Sequence, residues 1–167
     1  MGKKKNTAST PATLVLDTAG ISYTAHSYTH DAKAASFGGE AAEQLGVSPQ
    51  RVFKTLMVCW DAAGSTEYAV AVVPAAGKLD LKALGAVLGA KKLQLAPPAA
   101  AQRRSGYVVG GISAFGQRTP SITVIDASAM GHETIFISGG RRGFSLEIAP
   151  ADAVRITEAT LAEIATA

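Results

Sequence analysis

Val52-Phe-Lys-Thr-Leu-Met-Val-Cys-Trp60 is apolar or β-branched almost throughout. A strand with one solvated face alternates apolar with polar residues, so a continuous run of this kind reads as a β-strand buried on both faces. Its single charge, Lys54, shares a face with Val52, Leu56, Val58 and Trp60 at the strand's period of two. An ammonium on such a face must either snorkel to water or have a partner. Snorkelling or a structural ion pair explains it as well as a cleft holding a phosphate or a polarised ester at this point.

Outward from this strand, Asp61-Ala-Ala-Gly-Ser65 has the composition of a hairpin connection, returning through an antiparallel strand at 67–73. Thr10-Pro11 and Gly20 bracket a helix over 11–19, Ser36 and Gly46 bracket a second, and Asp80 and Gly89 a third. Pro97-Pro98 opens a short helix ending at Arg104, and Lys91–Leu95 is extended. Further strands are expected at 21–28, 121–125, 134–138 and 144–148, with a strand-like patch joined to a glycine pair over 105–113, read as a functional loop. The C-terminus is expected to be helical, because Thr160-Leu-Ala-Glu163 has capping-box spacing. Strands occur in runs between short helices, which predicts an α+β single domain around a mixed, partly barrel-like sheet.

A chain of 167 residues with 47% hydrophobic content suits one domain, expected over 11–167 behind a disordered basic tail at 1–10. No apolar run approaches the roughly 20 residues of a membrane span, and Lys3-Lys-Lys5 has no apolar segment behind it to make a secretory signal. The single cysteine, Cys59, forms no internal disulfide, consistent with a reducing, cytoplasmic location. A net charge of +3 is compatible with a polyanionic partner without requiring one.

Most standard hydrolytic arrangements are missing. Neither Gly111-Ile-Ser-Ala-Phe115 nor Gly143-Phe-Ser-Leu-Glu147 closes a nucleophile elbow with glycine. Cys59 sits in the apolar strand beside Trp60, where a buried structural thiol is the commoner outcome. His26 and His30 lie in strand and turn, so their spacing of four makes no helical metal site, and no metal or cofactor is expected. There remain Lys54 and the glycine pairs Gly110-Gly111, followed by Ile112-Ser113, and Gly139-Gly140, preceded by Ser138. Successive backbone N–H groups at such pairs can cradle an anion or a developing oxyanion, although ordinary tight turns use the same residues.

Val-Phe-Lys-Thr-Leu, Ser-Gly-Tyr-Val-Val-Gly-Gly-Ile-Ser and Ile-Phe-Ile-Ser-Gly-Gly-Arg-Arg-Gly, in this order, resemble the YbaK family of aminoacyl-tRNA deacylases, relatives of the editing domain inserted in bacterial prolyl-tRNA synthetase. The resemblance spans about residues 11 to 165. It implies hydrolysis of mischarged Cys-tRNA(Pro), and of Cys-tRNA(Cys), by a cytoplasmic monomer working beside prolyl-tRNA synthetase. By the same resemblance, Lys54 positions the terminal adenosine and carbonyl, the Gly110 backbone faces the scissile ester, and Tyr28 and Ser138 line the pocket with Gly111, Ile112, Ser113 and Gly139. It further implies that the substrate's own thiol attacks the ester. Two positions depart from the family pattern: Ala114 stands where many relatives have proline, and Ser145 where some have an acidic residue. Deacylation of another small residue, such as alanine on tRNA(Pro), and a non-catalytic module that binds tRNA or a synthetase remain as alternatives.

Overall fold

The computed structural model describes residues 9–31 and 36–167. Five α-helices are present among them: α1 (Pro11–Thr18), α2 (Phe37–Leu45), α3 (Leu81–Leu88), α4 (Pro98–Ser105) and α5 (Pro150–Thr157). The strands are β1 (Thr24–Ser27), β2 (Val52–Ala62), β3 (Ser65–Pro74), β4 (Lys78–Leu79), β5 (Gln94–Leu95), β6 (Ile122–Asp126), β7 (Ile135–Arg141), β8 (Phe144–Ile148), β9 (Thr160–Ala162) and β10 (Ala165–Thr166). None of the described helices is long and apolar enough to cross a membrane.

The 8-stranded sheet runs β1-β8-β7-β2-β3-β6-β9, with β5 also paired to β2, while β10 and β4 form a separate ribbon. It is mixed, as expected: β2 pairs antiparallel with β3 and parallel with β7, and β3 with β6 and β6 with β9 are parallel. The long ladder from Phe53↔Pro74 to Ala62↔Ser65 closes through Ala63 (φ 49) and Gly64 (φ 86). Two consecutive positive φ angles define the hairpin turn whose twist matches the strands it joins.

Both faces of β2 are covered. Phe53 and Met57 belong to the larger core with Leu16, Val72, Phe115, Ile125 and Ile137. Val58 belongs to a second core with Ala69, Ala71, Val73, Leu84 and Ile164, against which Leu56 and Trp60 also pack. Each large side chain buried in this way contributes about 1.5–3 kcal/mol relative to an exposed one.

The side of β2 away from β3 decides where the site forms. Pairing with β7 extends only over Val52↔Phe136 and Phe53↔Ile137, after which β7 leaves through an irregularity between Ser138 and Arg141. A neighbour returns only at β5, through Val58↔Leu95 and Cys59↔Gln94. Between them the edge at Lys54, Thr55 and Leu56 faces no strand among the described residues.

Four expectations change. The expected C-terminal helix is α5, which stops at Glu158 in the left-handed region (φ 54), and Thr160 instead begins β9, aligned with Val124 of β6. The Asp126 carboxylate accepts from the Ile164 and Ala165 N–H groups at 2.9 and 3.0 Å, so the C-terminal segment is held by a distant residue that local spacing cannot reveal. The strand-like patch at 105–113 is irregular beyond α4. The extended segment at 91–95 shortens to Gln94–Leu95, and the strand at 21–28 to Thr24–Ser27. Most of the expected basic tail lies outside the described residues, but Thr10 is part of the fold: it is buried, caps α1 and donates its hydroxyl to the Gly139 carbonyl at 2.6 Å.

Candidate active site

The gap between β2 and β7 opens into a cavity of about 320 Å³. Lys54, Thr55 and Leu56 form one wall, Phe136, Ser138 and Arg141 the opposite one, and Tyr28, Phe37, Gly110 and Ile112 close the remaining sides.

Lys54 is half-buried, and its Nζ donates to the Gly77 carbonyl at 3.0 Å. Burial foremost, and then the charge of Lys78, lowers its pKa. No carboxylate forms an ion pair with Lys54 among the described residues. The structural ion pair considered for it is therefore not what holds it. Beside it, the Thr55 hydroxyl is buried without a hydrogen-bond partner. The backbone of Thr55 is also directed at the gap. Val52 accepts from Ala75 on the β3 side, whereas Arg51 and Met57 accept from Phe136 and Ala96 on the other. Alternation along the strand then turns the Thr55 N–H and C=O towards the cavity.

Gly110 follows α4 in a loop stitched by Gly111 N–H to Val108 O at 2.9 Å and by Val109 N–H to Gln102 Oε1 at 3.0 Å. Its φ is +91, and a Cβ there would lie 2.6 Å from the Phe37 ring and 2.8 Å from Arg142 Nε. The positive φ favours glycine, and a side chain there would displace the Phe37 ring and the Arg142 guanidinium.

Among the residues singled out from sequence, Lys54, Gly110, Tyr28, Ile112 and Ser138 line the cavity. Gly111, Ser113 and Gly139 are placed behind its walls. Gly111 is buried against the Arg141 backbone, which a Cβ would approach to 2.7 Å. Ser113 is fully buried, its hydroxyl accepting from Phe115 N–H at 3.2 Å. Gly139 packs under Phe144, whose ring a Cβ would overlap.

Sequence reasoning missed Phe37, Thr55 and Arg142. A phenylalanine straight after the Ser36 cap, ahead of a glycine pair, was a usable signal for Phe37. Its ring lies between the imidazole of His30 (5.6 Å) and the guanidinium of Arg142 (5.3 Å). Glu40 accepts from His30 at 2.8 Å and from Asp31 N–H at 2.5 Å; that backbone bond first, and His30 second, lowers its carboxyl pKa. Burial, then the Glu40 charge, raises the pKa of the Tyr28 phenol.

No histidine or cysteine lines the cavity, and no cavity hydroxyl has a histidine or carboxylate in hydrogen-bond range among the described residues. Cys59 is buried, with Gln94 Nε2 at 4.0 Å. Such a site can hold an anion and polarise a carbonyl with Lys54 and backbone N–H groups, and among the described residues no hydroxyl or thiol in it is paired with a base. It is a cavity with Lys54, Arg141 and several backbone groups on its walls, suited to binding a substrate that carries an anion and a polar carbonyl.

The sequence profile of the aminoacyl-tRNA editing domain matches residues 32–156. The chain is 31% identical over 166 residues, covering 99% of each, to an Enterococcus faecalis (strain ATCC 700802 / V583) protein provisionally named Cys-tRNA(Pro)/Cys-tRNA(Cys) deacylase EbsC. The crystal structure of hypothetical protein APE2540 superposes with a TM-score of 0.82 at 25% identity, covering 94% of this chain and 100% of that one. A second crystal structure, described provisionally as a trans-editing enzyme for prolyl-tRNA synthetase, has the same fold, with a TM-score of 0.82 at 19% identity over 98% of this chain and 100% of that one. The chain belongs to the aminoacyl-tRNA editing domain family, and with it to the enzymes that deacylate aminoacyl-tRNA.

Proposed function

We propose that the chain is a trans-acting deacylase that removes cysteine from mischarged tRNA(Pro), and also acts on Cys-tRNA(Cys), in the cavity built on Lys54 and Gly110. The observation that carries this reading is the desolvated Lys54, which among the described residues has no carboxylate partner and faces a cavity without a base-paired hydroxyl or thiol. An acyl group that brings its own nucleophile suits such a site. That favours cysteine over alanine, whose removal would require a base to activate water. A lysine kept in an apolar wall at a cost in solvation also favours an enzyme over a passive binding module.

In this mechanism, Lys54 attracts the terminal nucleotide and orients the ester, and the Gly110 N–H donates to the carbonyl oxygen as it gains charge. The substrate sulfur forms a bond to its own carbonyl carbon and the bond to the 3′-oxygen breaks. The thiol proton ends on that oxygen, leaving a cyclic thioester and free tRNA. A well-held intramolecular nucleophile has an effective concentration on the order of 10⁵ M or more, so orientation alone supplies much of the acceleration. Tyr28, Ile112 and Ser138 shape the pocket, with Gly111, Ser113 and Gly139 supporting it from behind.

The sequence has no dense basic run with interleaved aromatics, so we assign selection of the tRNA body to a partner, prolyl-tRNA synthetase in the cytoplasm, with the deacylase itself a monomer. The test is to incubate the protein with tRNA(Pro) charged separately with cysteine, alanine and proline and to follow loss of each ester. Cysteine is expected to leave fastest. If no ester is lost faster than in buffer, the deacylase reading fails.

A further inference from the structure

Of the two arginines at the β7–β8 connection, Arg141, the last residue of β7, lines the cavity, and Arg142 reaches the glycine loop from outside. Arg142 Nε and Nη2 both donate to the Val109 carbonyl, at 2.9 and 2.7 Å. Arg142 has no carboxylate partner among the described residues, and its guanidinium rests over the Phe37 ring.

That carbonyl belongs to the peptide whose other end is the Gly110 N–H. The peptide is trans and planar, so the two groups point in opposite directions. Arg142 pulls the C=O outward, which turns the N–H inward at a residue that lines the cavity. This N–H has no acceptor of its own among the described residues. A cation on the carbonyl also polarises the N–H of the same amide, as in hydrogen-bond chains where each bond strengthens the next by about 10–30%.

We propose that Arg142 is a positioning residue for catalysis: its two-pronged hydrogen bond to Val109 aims and polarises the Gly110 N–H that receives the scissile carbonyl. This rests on the reading of Gly110 as the oxyanion donor. The contact is a specific one, because the Arg142 Nε lies where a Cβ on Gly110 would sit 2.8 Å away, so donor peptide and clamp are in direct contact.

The test is single-turnover deacylation of Cys-tRNA(Pro) at a series of enzyme concentrations by the wild type, Arg142→Ala and Arg142→Lys. Removing one oxyanion donor outright slows an enzyme by about 10²–10³-fold, so loosening one should lower the saturating rate constant of Arg142→Ala by about 10–100-fold. The half-saturating concentration should stay within about threefold, because the interaction strengthens in the transition state and not in the bound ground state. Arg142→Lys, which retains one donor, should fall between. Guanidinium ion at non-denaturing concentration should restore part of the rate of Arg142→Ala, and sodium chloride at equal ionic strength should not.

An unchanged saturating rate in Arg142→Ala overturns the inference. So does a loss confined to the half-saturating concentration with a shallower salt dependence, which would make Arg142 a phosphate contact. A rate loss that neither lysine nor guanidinium repairs overturns it as well, marking a merely structural role. If the wild type deacylates nothing, the deacylase reading itself fails; wild-type activity with an indifferent Arg142→Ala removes this inference alone.

Discussion

Gly110→Ala separates what the glycine does for the fold from what it does for the site. At φ +91, an L-residue costs on the order of 1–3 kcal/mol. The new Cβ would also overlap the Phe37 ring at 2.6 Å and Arg142 Nε at 2.8 Å. Phe37 is 39% exposed and Arg142 is exposed, so both can swing outward and relieve the overlap. Stability should therefore fall by little more than the backbone strain, which at about 2–4 °C per kcal/mol is a modest change in melting temperature. Activity should fall much further. Moving Arg142 releases the Val109 carbonyl, and a displacement of about 1 Å at a reacting centre costs on the order of 10²-fold in rate. Gly64→Ala supplies the control: its φ is +86, and nothing lies within 4 Å of a Cβ there. It carries the same kind of backbone cost in a hairpin that does not line the cavity. Thermal melting and single-turnover deacylation of both variants should give similar stability losses and a rate loss in Gly110→Ala alone. Full activity in Gly110→Ala, or an equal rate loss in Gly64→Ala, would refute the reasoning.

Thr55→Val keeps the shape of the side chain and removes a hydroxyl that is buried without a partner. The urea midpoint should hold or rise, and a destabilisation above about 1 kcal/mol would contradict the placement of that hydroxyl. Asp126→Ala leaves the Ile164 and Ala165 N–H groups without their acceptor and should cost roughly 2–4 kcal/mol in equilibrium unfolding; a negligible change would mean that β9 and β10 are held otherwise. Glu147 is held below the ordinary 4.5 by the Thr134 hydroxyl first and then His26, as Glu40 is by the Asp31 N–H and His30. The stability these carboxylates add is fully present above the unfolded value near 4.5 and is lost as pH falls through the lower folded values. Glu147→Gln should therefore flatten the acid limb of stability against pH, and an unchanged limb would argue against the Thr134–Glu147 pairing.

The parts of the fold that could be read from sequence are those determined by near neighbours in the chain. The caps at Ser36 and Asp80 accept from Gly39 and Ala83 within their own first turns, so the ends of α2 and α3 were visible. The apolar character of β2 required burial on both faces whatever covered them. Thr160 was misread because the competing interaction, the ladder to β6 anchored by Asp126, involves residues far away in the chain.

The site divides in the same way. A charge in an apolar strand singled out Lys54, and the order of the motifs brought Gly110 to the same site. Glycine pairs, however, do not reveal which member faces a cavity. Gly110 lines the cavity, whereas Gly111 is pressed on the Arg141 backbone and Gly139 on Phe144. The open edge at Thr55 exists because β7 departs after Ile137, and the role of Arg142 depends on a carbonyl on a distant loop. Neither leaves a local signature.

Lys54 bears the central claim, that this lysine is retained for chemistry at the expense of the fold. Its pKa is lowered on folding by burial, so at neutral pH the charged side chain is less favourable folded than unfolded, and Lys54→Met should relieve that cost. The decisive measurement is single-turnover deacylation of Cys-tRNA(Pro) by Lys54→Met, with its melting temperature recorded on the same preparation. The account predicts an ester lifetime no shorter than in buffer, in a protein that melts at or above the wild-type temperature. Wild-type deacylation by Lys54→Met, or lost activity in a variant that melts well below the wild type, would contradict it.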